Sequence, residues 1–422
     1  MDKLVVHGGS VIKGVINISG SKNASLPILA ASILTGEDCI IRRVPDVSDT
    51  NYMIQILSAL GADVERSSGT VRICCADIAD EAPYELVRRM RASICVMGPL
   101  LARKGRAVVS LPGGCVIGDR PVDLHLKGLQ ALGAKVEFEG GNITLTAPDG
   151  LRGAEMDLRG ENGPTVLGTD NVMMAATLAD GITVIESAAA EPEVLDLANF
   201  LNAMGAKISG AGTRRIVIEG VKELHGVEHT VIPDRIEAGT FMAAAALAGE
   251  GVTLNRVNRD HLKAITAAII KSGHKVEFNE AGNSCFIERG ETLQGVDLTT
   301  APFPGYPTDM QAQMTALLVT TPGISVIRDT IFPQRFMHCA ELKRMGADIR
   351  VDNGNAIVSG VRRLSAAPVM ASDLRASAAL VLAALNASGS TEISRLYHID
   401  RGYEHIDEKL LMLGAKVERV QV

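Results

Sequence analysis

The sequence predicts an α/β protein of two domains, each made of three repeated units with apolar helices buried inside and sheets and amphipathic helices covering them. Three observations carry this. First, one tract recurs six times: Leu60-Gly61-Ala62-Asp63-Val64, Leu132-Gly133-Ala134-Lys135-Val136, Met204-Gly205-Ala206-Lys207-Ile208, Ser272-Gly273-His274-Lys275-Val276, Met345-Gly346-Ala347-Asp348-Ile349 and Leu413-Gly414-Ala415-Lys416-Val417, with glycine spacings of 72, 72, 68, 73 and 68. Second, each glycine follows a short amphipathic helix and precedes a strand, as a left-handed helix cap does. Third, an Ala/Leu/Met-rich helix that ends at a glycine recurs in every unit and is apolar nearly all round, so it belongs in a core.

In chain order, Leu4-Val5-Val6 and Val15-Ile16-Asn17-Ile18 read as strands that the N-terminus supplies to the second half. The first buried helix runs from Leu26 to Gly36 and leads into Cys39-Ile40-Ile41. An amphipathic helix follows from Tyr52 to Leu60. Lys135 to Leu145 alternates around Gly140-Gly141 and reads as a hairpin. A second example of the pairing is Met173 to Gly181 with Ile182-Thr183-Val184-Ile185, followed by the amphipathic Val194 to Met204. Val231-Ile232-Pro233-Asp234 reads as the crossover between halves, and Ala376 to Gly389 with Thr391-Glu392-Ile393 closes the series. The expected domains are residues 22–232, and 1–21 with 233–422. Both connections then meet at one hinge, so two similar globules joined by two strands would open and close over a cleft.

Composition narrows the class. A chain of 422 residues exceeds what one core usually supports. Aromatics make up only 3% and there is no Trp, so the cores rely on Ala, Leu, Val, Ile and 15 Met. No apolar run reads as a signal peptide or a membrane span, which points to a cytoplasmic protein with no membrane partner. Seven cysteines without a C-x-x-C pair argue against zinc and against a disulfide framework, so reduced thiols are expected. A formal charge of −7 supplies no field for a nucleic acid, and phosphate recognition would fall to a few local Lys and Arg. No cofactor, metal or obligate protein partner is expected.

Two features point to chemistry. Ser110-Leu111-Pro112-Gly113-Gly114-Cys115-Val116-Ile117-Gly118-Asp119-Arg120-Pro121 holds a cysteine among glycines and prolines that propagate neither helix nor central strand. Cys115 is thus expected on a tight, exposed turn near Arg120, where thiol chemistry and anion binding become neighbours; the alternative is a cysteine acting as a small hydrophobe. The second feature is a register. Fourteen residues before the glycine that ends each buried helix stand Lys22, Arg91, Arg235, Asp309 and Arg375, in five of six units; for Arg235 the anchor is Gly249, with Gly251 an equal choice. Helix N-termini attract anions, so these starts read either as a pocket for a phosphorylated ligand or as simple caps. Asp309, a carboxylate where its relatives are cations, is either held in a salt bridge or used as a base.

Gly20-Ser21-Lys22-Asn23-Ala24, Met90-Arg91-Ala92-Ser93, Pro112-Gly113-Gly114-Cys115, Arg120-Pro121-Val122-Asp123-Leu124-His125, Pro307-Thr308-Asp309-Met310-Gln311-Ala312-Gln313, Asp373-Leu374-Arg375-Ala376-Ser377 and His398-Ile399-Asp400-Arg401-Gly402-Tyr403-Glu404 resemble the UDP-N-acetylglucosamine enolpyruvyl transferases of the EPSP synthase family, end to end. The resemblance implies two inside-out α/β barrels and transfer of an enolpyruvyl group from phosphoenolpyruvate to the 3-hydroxyl of UDP-N-acetylglucosamine, with release of phosphate, in the first committed step of peptidoglycan synthesis.

It also implies roles. Lys22, Arg120 and Arg401 would hold the phosphate and carboxylate of phosphoenolpyruvate, and Asn23 would touch both substrates. Arg91 and Arg120, Pro121, Val122, Asp123 and Leu124 would line the nucleotide-sugar pocket, with Ile331 near the uridine. Cys115 would protonate the vinyl carbon and Asp309 would act as base at the sugar hydroxyl, while Arg235, Arg335, Asp373 and Arg375 support them. One segment departs from the family: where a Ser-Val-Gly-Ala-Thr-type stretch usually wraps the diphosphate, this chain has Gly163-Pro164-Thr165-Val166-Leu167-Gly168-Thr169-Asp170-Asn171, so Gly163, Pro164, Thr165 and Val166 carry over by position and by Thr/Gly content only. A sibling with another uridine-nucleotide acceptor and a silent nucleotide-sugar-binding homologue are the alternatives.

Overall fold

The computed structural model describes residues 2–111 and 122–421. The chain divides into two compact units. One takes in residues 20–232 and the other residues 1–19 and 233–422, apart from a few positions outside the described residues. Gly20 and Ser21 therefore belong with the first unit and not, as the sequence suggested, with the second. The reason is local: the Ser21 hydroxyl caps the helix Lys22–Ala31 by accepting from the Ala24 amide at 3.3 Å, and the Ser21 amide donates to the Ile232 carbonyl at 2.7 Å.

Each unit has its own apolar core and three main sheets. In the unit of residues 20–232 these are built on the strand pairs Asp38–Arg42 with Thr70–Cys74, Arg106–Ser110 with Asn142–Thr146, and Ile182–Glu186 with Arg215–Glu219. In the other unit, Lys3–His7 lies between Ser390–Ser394 and Lys416–Val420, and Ile12–Asn17 pairs in parallel with Gly249–Asn255. The N-terminal strands thus complete two sheets of the second half. The third sheet there joins Ile324–Arg328 to Asn355–Ser359.

Inside lie the apolar helices. Residues 375–385 of the helix Leu374–Leu385 are all buried, as are 236–247 of Arg235–Ala248 and 168–176 of Val166–Ala176. Two of the six begin as a 3₁₀ turn, Arg91–Val96 before Met97–Lys104 and Thr308–Met310 before Gln311–Leu318. Pro99 has no N–H to offer the Cys95 carbonyl, so the α-helical ladder starts afresh at Met97. Outside, Ser48–Leu60 turns Met53, Ile56, Leu57 and Leu60 inward at helical spacing.

The repeat glycines do what their spacing predicts: Gly61, Gly133, Gly205, Gly273, Gly346 and Gly414 all have φ between 89° and 108°. The glycines that end the buried helices are less uniform. Gly251, at φ 92°, is the left-handed residue of the fourth unit, whereas Gly249 is extended. Gly249 directly follows Ala248 and ends the helix that Arg235 begins, so the register through Gly249 holds as a helix-end count, with the left-handed turn two residues later at Gly251. In the first unit Gly36 takes no left-handed cap. The Arg103 guanidinium replaces it, donating to the carbonyls of Ile33 at 2.8 Å and Thr35 at 2.9 Å. Among the described residues, no helix is long and apolar enough to cross a membrane.

Candidate active site

In the unit of residues 20–232, Ser21 turns the chain into a helix whose first residue is Lys22, so first-turn amides and a lysine share one helix end where partial positive charge gathers. Pro27 lies inside this helix and cannot donate to the Asn23 carbonyl. The Lys22 ammonium is 2.7 Å from the Asp49 carboxylate, with side chains 13% and 1% exposed. Asp49 escaped the sequence reading, yet a signal was there: it is an acid at helical spacing from Met53, Ile56 and Leu60 on the buried face. Arg91 opens the 3₁₀ turn after Met90.

Val122 precedes the helix Asp123–Ala131, and Leu124 in its first turn packs against a tight hairpin in which Arg159-Gly160 pairs with Gly163-Pro164. A Cβ on Gly160 would come within 3.0 Å of Leu124 Cδ1. The structure thus brings together the Val122–Leu124 stretch and the atypical Gly163–Val166 segment. Thr165 caps the helix Val166–Ala176, accepting from the Gly168 amide at 3.2 Å, so its hydroxyl is an organiser of this corner. Asn171, further along, receives the Gly98 amide at 2.8 Å and donates to the Ile94 carbonyl at 2.8 Å, fixing the Arg91–Val96 turn from behind. Cys115, Arg120 and Pro121 lie outside the described residues.

In the other unit, Asp309 stands between two guanidinium groups. Arg335 Nη1 donates to Oδ1 at 2.7 Å and Arg375 Nη2 to Oδ2 at 2.9 Å; the arginine side chains are 7% and 3% exposed and the carboxylate 27%. Burial pushes the Asp309 carboxyl up, but the Arg375 and Arg335 charges and their hydrogen bonds outweigh it and hold the group well below the usual carboxylate range. Of the two readings of Asp309 left open by the sequence, the geometry shows the salt bridge: the carboxylate is ionised and accepts from a guanidinium on each oxygen.

Each arginine is fixed in turn. Asp373 caps the helix Leu374–Leu385, accepting from the amides of Arg375 at 2.9 Å and Ala376 at 3.1 Å. Arg375 lies over the Tyr403 ring at 5.3 Å. The Tyr403 hydroxyl meets Thr240 Oγ1 at 2.8 Å, and Gln313 Nε2 reaches Tyr403, Thr240 and the Asp309 carbonyl at 3.1, 3.1 and 2.8 Å. His338 is buried beside Arg335 and Asp373; burial pushes it down to about 4, so it adds no charge at neutral pH. Arg401 ends the 3₁₀ turn Leu396–Arg401, and a Cβ on the next residue, Gly402, would lie 2.7 Å from Leu374, so this turn packs on the start of the helix that carries Arg375. Ile331 lies on the loop leading to Arg335. Arg235 stacks on Phe303 at 5.7 Å.

The other thiols fit a structural role. Burial pushes Cys39 up to about 11 and Cys75, Cys285 and Cys339 to about 12, and Cys95 well above its ordinary value. All six cysteines among the described residues are free.

The sequence profile of EPSP synthase (3-phosphoshikimate 1-carboxyvinyltransferase) matches residues 6–410. The chain belongs to the EPSP synthase family. Within that family it is 70% identical over 420 residues to UDP-N-acetylglucosamine 1-carboxyvinyltransferase of Akkermansia muciniphila, covering all of this chain and 99% of the relative. It is 55% identical over the same length to the protein of that name from Methylacidiphilum infernorum, again covering all of this chain and 99% of the relative. The solved enolpyruvyl transferase NikO from Streptomyces tendae superposes over all of this chain and 99% of its own, with a TM-score of 0.89 and 25% identity. EPSP synthase from Acinetobacter baumannii shares the fold over both whole chains, with a TM-score of 0.75 at 19% identity. Two α/β domains of repeated units are thus the family's architecture as well as this chain's.

Proposed function

We propose that this enzyme transfers the enolpyruvyl group of phosphoenolpyruvate to the 3-hydroxyl of UDP-N-acetylglucosamine and releases phosphate, the first committed step of peptidoglycan synthesis. The observation that carries the reading is the 70% identity, over the whole chain, to a relative named for that activity. Asp309 and its two arginines support it.

The chemistry is an addition followed by an elimination. Cys115 gives a proton to C3 of phosphoenolpyruvate, leaving C2 cationic, and the sugar 3-hydroxyl attacks C2. Lys22, Arg120 and Arg401, with Asn23, hold the phosphate and carboxylate and stabilise the tetrahedral phosphoketal. Val122, Asp123, Leu124, Gly163, Pro164, Thr165 and Val166 cradle the nucleotide sugar, with Arg91, Pro121 and Ile331. Asp309 is a weak base because two arginines hold it ionised, which suits a late role: once the C–O bond forms, the attacking hydroxyl turns strongly acidic and any correctly placed carboxylate can take its proton. Loss of a C3 proton and of phosphate then gives the product.

A coupled phosphate assay tests this. Phosphate should appear only when both substrates are present, and absence of release with both together would sink the assignment. Cys115→Ser should abolish or greatly slow release while thermal unfolding is unchanged; wild-type rates across pH would refute the acid role.

A further inference from the structure

We propose that Asp329, through Thr308, is a positioning residue that sets where the Asp309 carboxylate stands; this rests on the function proposed above.

Asp329 is 1% exposed, and four donors converge on it. Thr300 Oγ1 and the amides of Ile331 and Phe332 donate to Oδ1 at 2.8, 3.0 and 2.9 Å, and Thr308 Oγ1 donates to Oδ2 at 2.7 Å. The amide contacts fold residues 329–332 into a turn, and the Arg335 amide continues it by donating to the Phe332 carbonyl at 2.9 Å. The hydroxyl contact does something more specific. Thr308 has one hydroxyl hydrogen, and Asp329 takes it, so a lone pair is left facing Arg335 Nη1, which donates to Thr308 Oγ1 at 3.2 Å and to Asp309 Oδ1 at 2.7 Å. Asp329, Thr308, Arg335 and Asp309 thus form one polarised chain in which every donor has a direction.

An amide at position 329 breaks that direction. The side chain introduced by Asp329→Asn would have to aim its NH₂ at one of four donors. If it faces Thr308, the hydroxyl must turn round and present its hydrogen to the guanidinium, driving Arg335 off and with it one of the two supports of Asp309.

The test is steady-state kinetics by phosphate release with Asp329→Asn, Thr308→Val, Thr308→Ser and the double variant Asp329→Asn/Thr308→Val. Thr308→Val should lower kcat about tenfold or more, as expected for a lost hydrogen bond to a charged group, while KM for phosphoenolpyruvate stays within about twofold. Thr308→Ser keeps the hydroxyl and should restore most of kcat. Asp329→Asn should match Thr308→Val, and the double variant should be no slower than either single one, because all three break the same chain. The acid limb of the kcat–pH profile should move to higher pH in Thr308→Val, since Arg335 loses its second acceptor and stands less firmly against Asp309. Multiplying effects in the double variant, an unmoved pH limb, or an equal loss in Thr308→Ser would overturn the proposal. Should Asp329→Asn fail to fold, the Thr308 pair and the pH limb still decide. Absence of phosphate release by the unaltered enzyme would instead overturn the proposed function, so the two failures are distinct.

Discussion

Glu237 and Asp309 are carboxyl groups of the same unit, each beside a helix start and each facing cations, yet they titrate in opposite directions. Glu237 is 3% exposed; it pairs with Lys409 and accepts from the Ser19 amide at 3.1 Å. Burial outweighs the lysine and pushes the group up to about 7. Asp309 is more open and has two guanidinium groups, one on each oxygen, and it is held well below its ordinary value. The difference teaches that a single ammonium does not balance full desolvation, whereas two fixed guanidiniums at a partly open carboxylate exceed it.

Breaking the Asp309 side should have the larger effect. Asp309→Asn should slow phosphate release by about a thousandfold, within the range for loss of an acid–base group. Asp309→Ala should also destabilise the fold by about 3 kcal/mol, read from urea unfolding, because two buried guanidiniums lose their counterion. If activity survives Asp309→Asn, the carboxylate is only a strut. Lys409→Met on the other side should cost less, about 1–2 kcal/mol, since Glu237 can take a proton in place of its partner. That loss should be greater at pH 8 than at pH 5; an equal loss would mean that Glu237 is ionised throughout.

The wild-type pH dependence sharpens the contrast further. Glu237 has a folded pKa of about 7, above its unfolded value near 4.5, so its contribution is most favourable below pH 4.5 and is lost as pH rises towards 7. Unfolding of Glu237→Gln and wild type should diverge over that window, the wild type losing relative stability as pH rises. Asp309 has the opposite sign: its contribution is complete above about pH 4 and is lost as pH falls towards its depressed folded value. The smallest effect expected is a shallower loss of stability below pH 4 in Asp309→Asn than in wild type.

These networks also mark where sequence reading stops. The repeat shows as one short tract recurring at glycine spacings of 68 to 73 residues, and the left-handed glycines, buried helices and N-terminal strands show in short local patterns, so these were legible. So was the gathering of Asp309, Arg335, Asp373 and Arg375, through the resemblance. Their supports were not: Thr240 meets Tyr403 across 163 residues of chain, and Arg103 caps the first buried helix from a neighbouring unit, 70 residues from the Ile33 carbonyl it reaches. Side chains of ordinary type at ordinary positions carry no local signal for such partners. Asp49 is the intermediate case, because an acid on an apolar stripe is anomalous where it stands. The choice between Gly249 and Gly251 stayed open for a related reason: both suit a helix end, and only backbone conformation shows that Gly249 ends the helix while Gly251 takes the left-handed turn.

The N-terminal strands carry a consequence for synthesis on the ribosome. Residues 20–232 have their own core and can close as soon as they emerge. Lys3–His7, by contrast, is the strand between Ser390–Ser394 and Lys416–Val420, so a strand made before that unit must wait for partners made after it. A nascent chain stalled near residue 380 would hold a finished first unit and a second with Leu4 and Val6 still uncovered by their partner strands, and chaperone capture should fall on that half alone.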